Sequence, residues 1–324
     1  MSKIYVTGGS GLVGSNVIRV AVEHYQARVF ATMHRWQPGA AVDYDLGTVD
    51  THDRDQVLQS VRAFKPDAIV HCAALLDLPL LYRDRELGWR SYVEATAHLV
   101  EAANDVGAKI VLISSDWVFD GTQAMAAETT PPNPINYYGL LKVVGETLLA
   151  ASAEDWAVVR VAGVNGLNWA RPELAMTQNA GFGNLAVAVA ETLRRNRPFT
   201  VWEGEVNMQG TPSLASEIGE MILRIIKQDR QGIFHCCATE RTSRRELALA
   251  TARAFDLDAG LIHFGPPDPA DPASLRGIPI PSDTSLSCDA TARQLSYQPL
   301  DLFQVLGNLR QQMETGRIPS RAGP

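Results

Sequence analysis

The stretch Thr7-Gly8-Gly9-Ser10-Gly11-Leu12-Val13-Gly14 constrains this chain more than any other part of it. It follows Ile4-Tyr5-Val6-Thr7, an apolar run that reads as a strand, and opens Val13 to His24, which reads as a helix. Gly9, Gly11 and Gly14 satisfy Gly-x-Gly-x-x-Gly; Gly8, Gly11 and Gly14 satisfy the related Gly-x-x-Gly-x-x-Gly. Such a loop must turn sharply, let a pyrophosphate approach the backbone, and pack a helix on a strand. A missing Cβ favours each task. The helix N-terminus then offers free N–H groups and a partial positive charge to the phosphates. Gly8, Ser10, Gly11, Leu12, Val13 and Gly14 are the residues expected to line that cradle.

The strand–helix pattern recurs along the first half of the chain. Strands are expected at Arg28–Thr32, Asp67–His71, Lys109–Ser114 and Trp156–Val161, and helices at Asp53–Phe64, Leu87–Val106 and Tyr137–Ala151. Alternating strands and helices imply an α/β fold, a Rossmann-type doubly wound parallel sheet. The alternation breaks after Gly163. Helices are expected again at Asn184–Arg195, Ser213–Gln228 and Ser243–Phe255, with a strand at Gly232–Cys237 and a Pro- and Asp-rich loop at Phe264–Ser285. The division that results is a nucleotide-binding domain over 1–166, its sheet completed by 213–237. A smaller C-terminal α/β substrate lobe takes 167–212 and 238–315, and 316–324 is a flexible tail.

Composition narrows the class. A net charge of -7 argues against a nucleic-acid partner. Cys72, Cys236, Cys237 and Cys288 have no metal-type spacing with each other or with histidines, so no metal is expected. No apolar run approaches the ~20 residues of a membrane span. With strand character starting directly after Met1-Ser2-Lys3, a cytoplasmic protein is expected.

The second strand ends Thr32-Met33-His34-Arg35, without the carboxylate that holds the ribose of NAD. Arg35 can instead grip a 2′-phosphate, which favours NADP(H) with NAD(H) as the alternative; a plain surface arginine is the other reading. Asp45 and Leu46 precede the next helix, where the carboxylate is either an adenine ligand or a turn residue. Tyr138 and Lys142 lie four apart, on one helix face. A nearby ammonium is expected to lower the phenol pKa from about 10 and bring proton transfer into range.

Ser114-Ser115-Asp116-Trp117-Val118-Phe119-Asp120-Gly121, Tyr138-Gly139-Leu140-Leu141-Lys142 with Gly145-Glu146, and His71-Cys72-Ala73-Ala74 together resemble an extended short-chain dehydrogenase/reductase. Gln209-Gly210-Thr211-Pro212 and Gly232-Ile233-Phe234-His235 extend the likeness to the branch of dTDP-4-dehydrorhamnose reductases, which also holds the β subunit of methionine adenosyltransferase. The resemblance implies Tyr138 as catalytic acid/base, Lys142 on the nicotinamide ribose, and Ser115 on the substrate oxygen. It implies further cofactor contacts at Asp45, Leu46, Ala73 and Ala74 and a nucleotide-sugar substrate; separately, a homodimer is the candidate assembly. Asp116, Trp117 and Trp169 are candidate substrate contacts.

This chain also departs from the branch. Trp117 stands where tyrosine is usual, Ser91 where asparagine is frequent, and Pro279-Ile280-Pro281 lacks an Arg-Pro pair. These departures bear on which sugar is taken. Dehydratases of the superfamily resemble Thr-Asp-Glu where this chain has Ser115-Asp116-Trp117, and tryptophan is neither acid nor base. A reductase of a 4-keto-6-deoxy sugar nucleotide is therefore expected. The alternatives are an NADP-binding regulatory subunit without turnover, and an epimerase.

Overall fold

The computed structural model of the chain describes residues 2–33, 38 and 42–319, so Arg35 lies outside the described residues. Among these, the central sheet has the strands β1 (Lys3–Thr7), β2 (Arg28–Met33), β3 (Asp45–Thr48), β4 (Ala68–His71), β5 (Lys109–Ser115), β6 (Trp156–Val161) and β7 (Gly232–His235). All pair in parallel, in the spatial order 3-2-1-4-5-6-7. The order reverses between β1 and β4. In a doubly wound sheet this reversal opens a crevice at the carboxyl ends of the strands, where ligands bind.

Side-chain alternation explains the layers. Ile4 and Val6 face one side with Val17 and Ile18 of helix α1 (Leu12–Glu23) and with Ile218 and Ile222 of the helix Ala215–Lys227. Tyr5, Ile69 and Ile110 face the other side, against Val57, Val61 and Leu99. Burial on both faces is why these strands read as continuous apolar runs.

Two elements of the first half depart from the sequence expectation. β3 has no counterpart in it: Asp45-Leu46-Gly47-Thr48 is short, half exposed and poor in branched residues, yet pairs beside β2. The expected helix Leu87–Val106 is divided into Arg85–Trp89, a π-helical turn at Arg90–Glu94, and Ala95–Val106. A π turn adds a residue to the winding and re-aims the side chains it carries.

The C-terminal part packs Leu185–Arg194, Arg244–Ala254 and Leu302–Thr315 around Leu185, Val189, Leu247, Leu306 and Leu309. Phe199–Trp202 pairs in parallel with Ile262–Gly265, so the expected loop begins after Gly265 rather than at Phe264. The chain then returns toward the sheet. Asp283 bridges Gln209, and Leu286 bridges Ala126. Gly121 makes this approach feasible: its φ is +84°, and a Cβ there would lie 2.6 Å from the Ser282 nitrogen.

Candidate active site

The glycine loop is folded tightly on itself and on the end of β4. Gly8 has φ +68°, and a Cβ on it would meet the Ala73 nitrogen at 2.6 Å. A Cβ on Gly14 would lie 2.3 Å from the Gly8 carbonyl oxygen. These contacts account for two of the motif's glycines by packing alone. Gly11 is the N-cap of α1 and supplies no side-chain cap, so the first helical N–H groups, from Leu12 onward, face the crevice free. The loop itself is closed by Gly11 N–H donating to the Gly8 carbonyl at 2.9 Å. Across the crevice, Thr7 Oγ1 accepts from Ala73 N–H at 3.2 Å and lies 2.8 Å from His71 Nδ1. Burial and the charge of Lys142 hold His71 down to about 3, so its ring is neutral and can accept from Thr7. The Ala73-Ala74 turn is thereby anchored to β1. A cradle of this shape, with free helix N–H groups and no competing carboxylate cap, fits a dinucleotide's pyrophosphate.

Asp45 and Leu46 fall on β3 rather than in a turn before a helix. The Asp45 carboxylate is exposed and takes Arg28 Nε at 2.9 Å.

The second half of the site lies where β5 ends. Ser115, its last residue, caps a 3-10 turn at Asp116–Val118: its Oγ accepts from Trp117 N–H at 3.2 Å and donates to Asp116 Oδ1 at 2.9 Å. The helix Tyr137–Ser152 starts beside it because Asn136 caps it, accepting from Gly139 N–H at 2.8 Å. Gly139 is required there. A Cβ on it would sit 2.2 Å from the Trp117 carbonyl oxygen. The Tyr-Gly pair thus lets the helix abut the Ser115 turn and brings the Tyr138 phenol to the Ser115 side of the site, edge-on to Trp117.

Tyr138 is walled by aromatic rings. Trp117 and Tyr92 each meet it edge-on with ring centroids 5.9 Å away. Tyr92 comes from the π turn and is fixed by donating its hydroxyl to the Leu75 carbonyl at 2.7 Å. Sequence reasoning does not single it out. Ser91, in the same turn, points to His52, with Oγ 3.1 Å from Nε2.

Lys142 is 7% exposed and donates to the Ile113 carbonyl at 2.8 Å. Its Nζ lies 5.0 Å from the Tyr92 ring centroid and 5.8 Å from that of Tyr138. Burial lowers its pKa to about 8, opposed by Cys72 and Glu146. The expected lowering of the tyrosine pKa does not appear. Burial pushes Tyr138 up to about 12; the Ser115 hydrogen bond opposes this, and the Asp116 charge adds to it. The ammonium is aimed at a backbone carbonyl instead of the phenol, so desolvation outweighs it. Tyr138 is therefore a neutral phenol at neutral pH, able to give a proton away.

Below this face a buried ion pair holds the helix to the sheet. Arg160, 1% exposed, donates from Nε and Nη2 to the two Glu146 oxygens at 3.0 and 2.7 Å, and Ser114 donates to the same carboxylate. The Gly145-Glu146 pair of the sequence has a structural meaning here.

Trp169 is placed away from this cluster. Its indole N–H donates to Asn16 Oδ1 at 2.9 Å, and Arg19 stacks over its ring at 3.8 Å, so it covers α1 instead of lining the Tyr138 wall. Its neighbour Asn168 donates to the Ser10 carbonyl at 3.0 Å, closing the segment over the glycine loop. Arg241 pairs with Asp283 at 2.8 Å. Among the described residues, no cluster of His, Cys, Asp and Glu could hold a metal ion, and no helix is long and apolar enough to cross a membrane.

A family model described as the RmlD substrate binding domain matches residues 2–302. The chain is 25% identical to methionine adenosyltransferase 2 subunit beta of Bos taurus, over 88% of this chain and 80% of that protein. Among solved structures it is similar to a hypothetical dTDP-4-dehydrorhamnose reductase from Sulfolobus tokodaii, at 27% identity and a TM-score of 0.71, covering 93% of this chain and 98% of that one. The dTDP-4-dehydrorhamnose reductase of Bacillus anthracis in complex with NADP shares the fold at 20% identity and a TM-score of 0.74, covering 97% and 100%.

Proposed function

We propose that this chain, which belongs to the RmlD substrate binding domain family, is a nicotinamide-dependent reductase of a keto group on a nucleotide-activated sugar. The observation that carries this reading is the grouping of Tyr138, half-buried between the Trp117 and Tyr92 rings, with Lys142 on the same helix face, in a fold that also holds a glycine-loop cradle. The cradle of Gly8, Ser10, Gly11, Leu12, Val13 and Gly14 would hold the pyrophosphate, with Ala73 and Ala74 at the adjoining ribose and Asp45 and Leu46 toward the adenine. Arg35 would select the 2′-phosphate of NADP(H). When bound, the cofactor supplies a hydride to the carbonyl carbon. Tyr138 gives its proton to the carbonyl oxygen, and Ser115 stabilises the charge that develops there. Lys142, buried beside the Tyr92 and Tyr138 rings, would hold the nicotinamide ribose. Residues 167–212 and 238–315 would form the substrate lobe, with Asp116 and Trp117 as contacts to the sugar.

A reducing direction suits these residues better than elimination or epimerisation. Trp117 supplies no acid or base for elimination, and Arg35 in place of a carboxylate suits the NADP(H) used for net reduction. NADPH oxidation in the presence of a 4-keto-6-deoxy sugar nucleotide tests the reading. The likeness to methionine adenosyltransferase 2 subunit beta supports a second one, a regulatory subunit that binds NADP without turning over. Tight cofactor binding without oxidation, together with a stable complex with a partner enzyme, would favour that second reading.

A further inference from the structure

The segment after β6 meets the glycine loop at one peptide. The Ser10–Gly11 peptide is held from both sides: Gly11 N–H donates to the Gly8 carbonyl at 2.9 Å, and the Ser10 carbonyl accepts from Asn168 Nδ2 at 3.0 Å. In a trans peptide the N–H and C=O point in opposite directions, so the two bonds fix one orientation of the plane. Turned over, the peptide would lose both bonds and set the Ser10 oxygen beside the Gly8 oxygen at the foot of α1. Two carbonyl oxygens there would oppose the free helix N–H groups that a pyrophosphate needs.

The Asn168 side chain is itself tightly fixed. It is 6% exposed, and its Oδ1 accepts from Ala170 N–H at 3.1 Å and from Arg171 N–H at 3.0 Å. With the oxygen so occupied, the amide nitrogen is the atom left for Ser10. The residues on either side clamp it to α1. Asn16, fully buried, donates from Nδ2 to the Leu167 carbonyl at 2.9 Å and accepts from Trp169 Nε1 at 2.9 Å. Ser15 Oγ accepts from Trp169 N–H at 3.2 Å, and the Arg19 guanidinium covers the indole at 3.8 Å. The clamp therefore grips the same helix whose N-terminus the loop presents.

We infer that Asn168, clamped through Leu167 and Trp169 on Asn16, is a positioning residue for the cofactor: it locks the Ser10–Gly11 peptide in the orientation that receives the pyrophosphate. The inference rests on the reading of the glycine loop as the cofactor cradle and is independent of turnover. It makes cofactor affinity depend on a side chain 158 residues away from the loop it steadies.

The test pairs two measurements on the full-length protein: amide hydrogen exchange by NMR without nucleotide, and NADPH affinity by calorimetry. Asn168→Asp keeps the size and the oxygen that takes Ala170 and Arg171, but has no N–H for Ser10. Asn168→Ala removes both. In each, exchange at the Gly11 amide should rise about five- to tenfold, the worth of one hydrogen bond, while β4 and β5 exchange at the wild-type rate. The Kd for NADPH should rise by a similar factor, and so should that for ADP-ribose, which carries the same pyrophosphate. Trp169→Phe keeps a ring over Arg19 but loses the indole N–H. It should move both readouts the same way by less, and it decides the matter if the Asn168 variants do not fold. Unchanged Gly11 exchange in both Asn168 variants would overturn the inference, as would wild-type NADPH affinity in Asn168→Asp. Exchange rising equally in β4 and β5 would also overturn it, since the loss would then be of general stability. Failure of the wild type to bind NADPH would sink the cradle reading, and the inference with it.

Discussion

The cofactor cradle and the Tyr138 wall are built by different means. In the cradle the backbone is the recognition element: glycines with no Cβ, a helix with no side-chain cap, and a turn tied down by Thr7 and Ala73. Around Tyr138 the parts are side chains from separated segments, namely Ser115, Tyr92 of a π turn, Trp117 and Lys142. A backbone site depends on local spacing and tolerates change outside the loop. A side-chain site depends on tertiary packing, and its electrostatics follow burial. The same lysine that spacing would assign to the phenol is therefore found on the Ile113 carbonyl, and the phenol rises to about 12.

The contrast can be broken from either side. The largest effect is expected at the side-chain site. Tyr138→Phe should cut turnover by about 10²–10⁴-fold, the usual worth of a positioned acid, while NADPH affinity measured by calorimetry stays near wild type. Turnover within tenfold of wild type would place the acid elsewhere. Next is Glu146→Ala, which strands Arg160 in the core. A denaturant titration should show a loss of about 3–5 kcal/mol, as when one member of a buried pair is removed. A loss under 1 kcal/mol would mean the pair is not what ties the helix to the sheet.

Smaller effects belong to the cradle. Gly14→Ala forces a Cβ to within 2.3 Å of the Gly8 carbonyl oxygen, and the loop must shift. A cost of about 1–3 kcal/mol in stability and a parallel weakening of NADPH are expected. If stability falls while affinity does not, the glycine serves packing alone. Smallest is Arg35→Ala, which should weaken NADPH about tenfold, or about 1.4 kcal/mol, and leave NADH unchanged. Equal effects on both nucleotides would remove the 2′-phosphate argument.

The same contrast explains what could be read from the sequence. The parallel sheet, the glycine cradle and the Tyr138–Lys142 helix are legible because each is encoded within a few residues by spacing and composition. β3 is hidden because Asp45-Leu46-Gly47-Thr48 lacks the branched, alternating pattern of a strand and owes its form to pairing with β2. The π turn at Arg90–Glu94 is made of ordinary helix residues, so nothing in its composition marks the rewinding that carries Tyr92 to Tyr138. The bridges Asp283–Gln209 and Leu286–Ala126 join segments that meet only after the C-terminal part folds back beside Gly121. Where Trp169 packs is not legible either, because an aromatic residue in an irregular stretch after β6 is equally suited to a ligand wall or to covering a helix; it lies against Arg19 and Asn16.

The central claim is that this chain uses Tyr138 to complete a reduction. The most direct measurement is the loss of NADPH absorbance when purified protein meets dTDP-4-dehydrorhamnose, followed together with the hydroxyl product. The account predicts one NADPH consumed for each hydroxyl formed in the wild type, and a rate lower by about 10²-fold or more in Tyr138→Phe despite retained cofactor binding. NADPH bound but not oxidised by the wild type, across a panel of keto-sugar nucleotides, would contradict it.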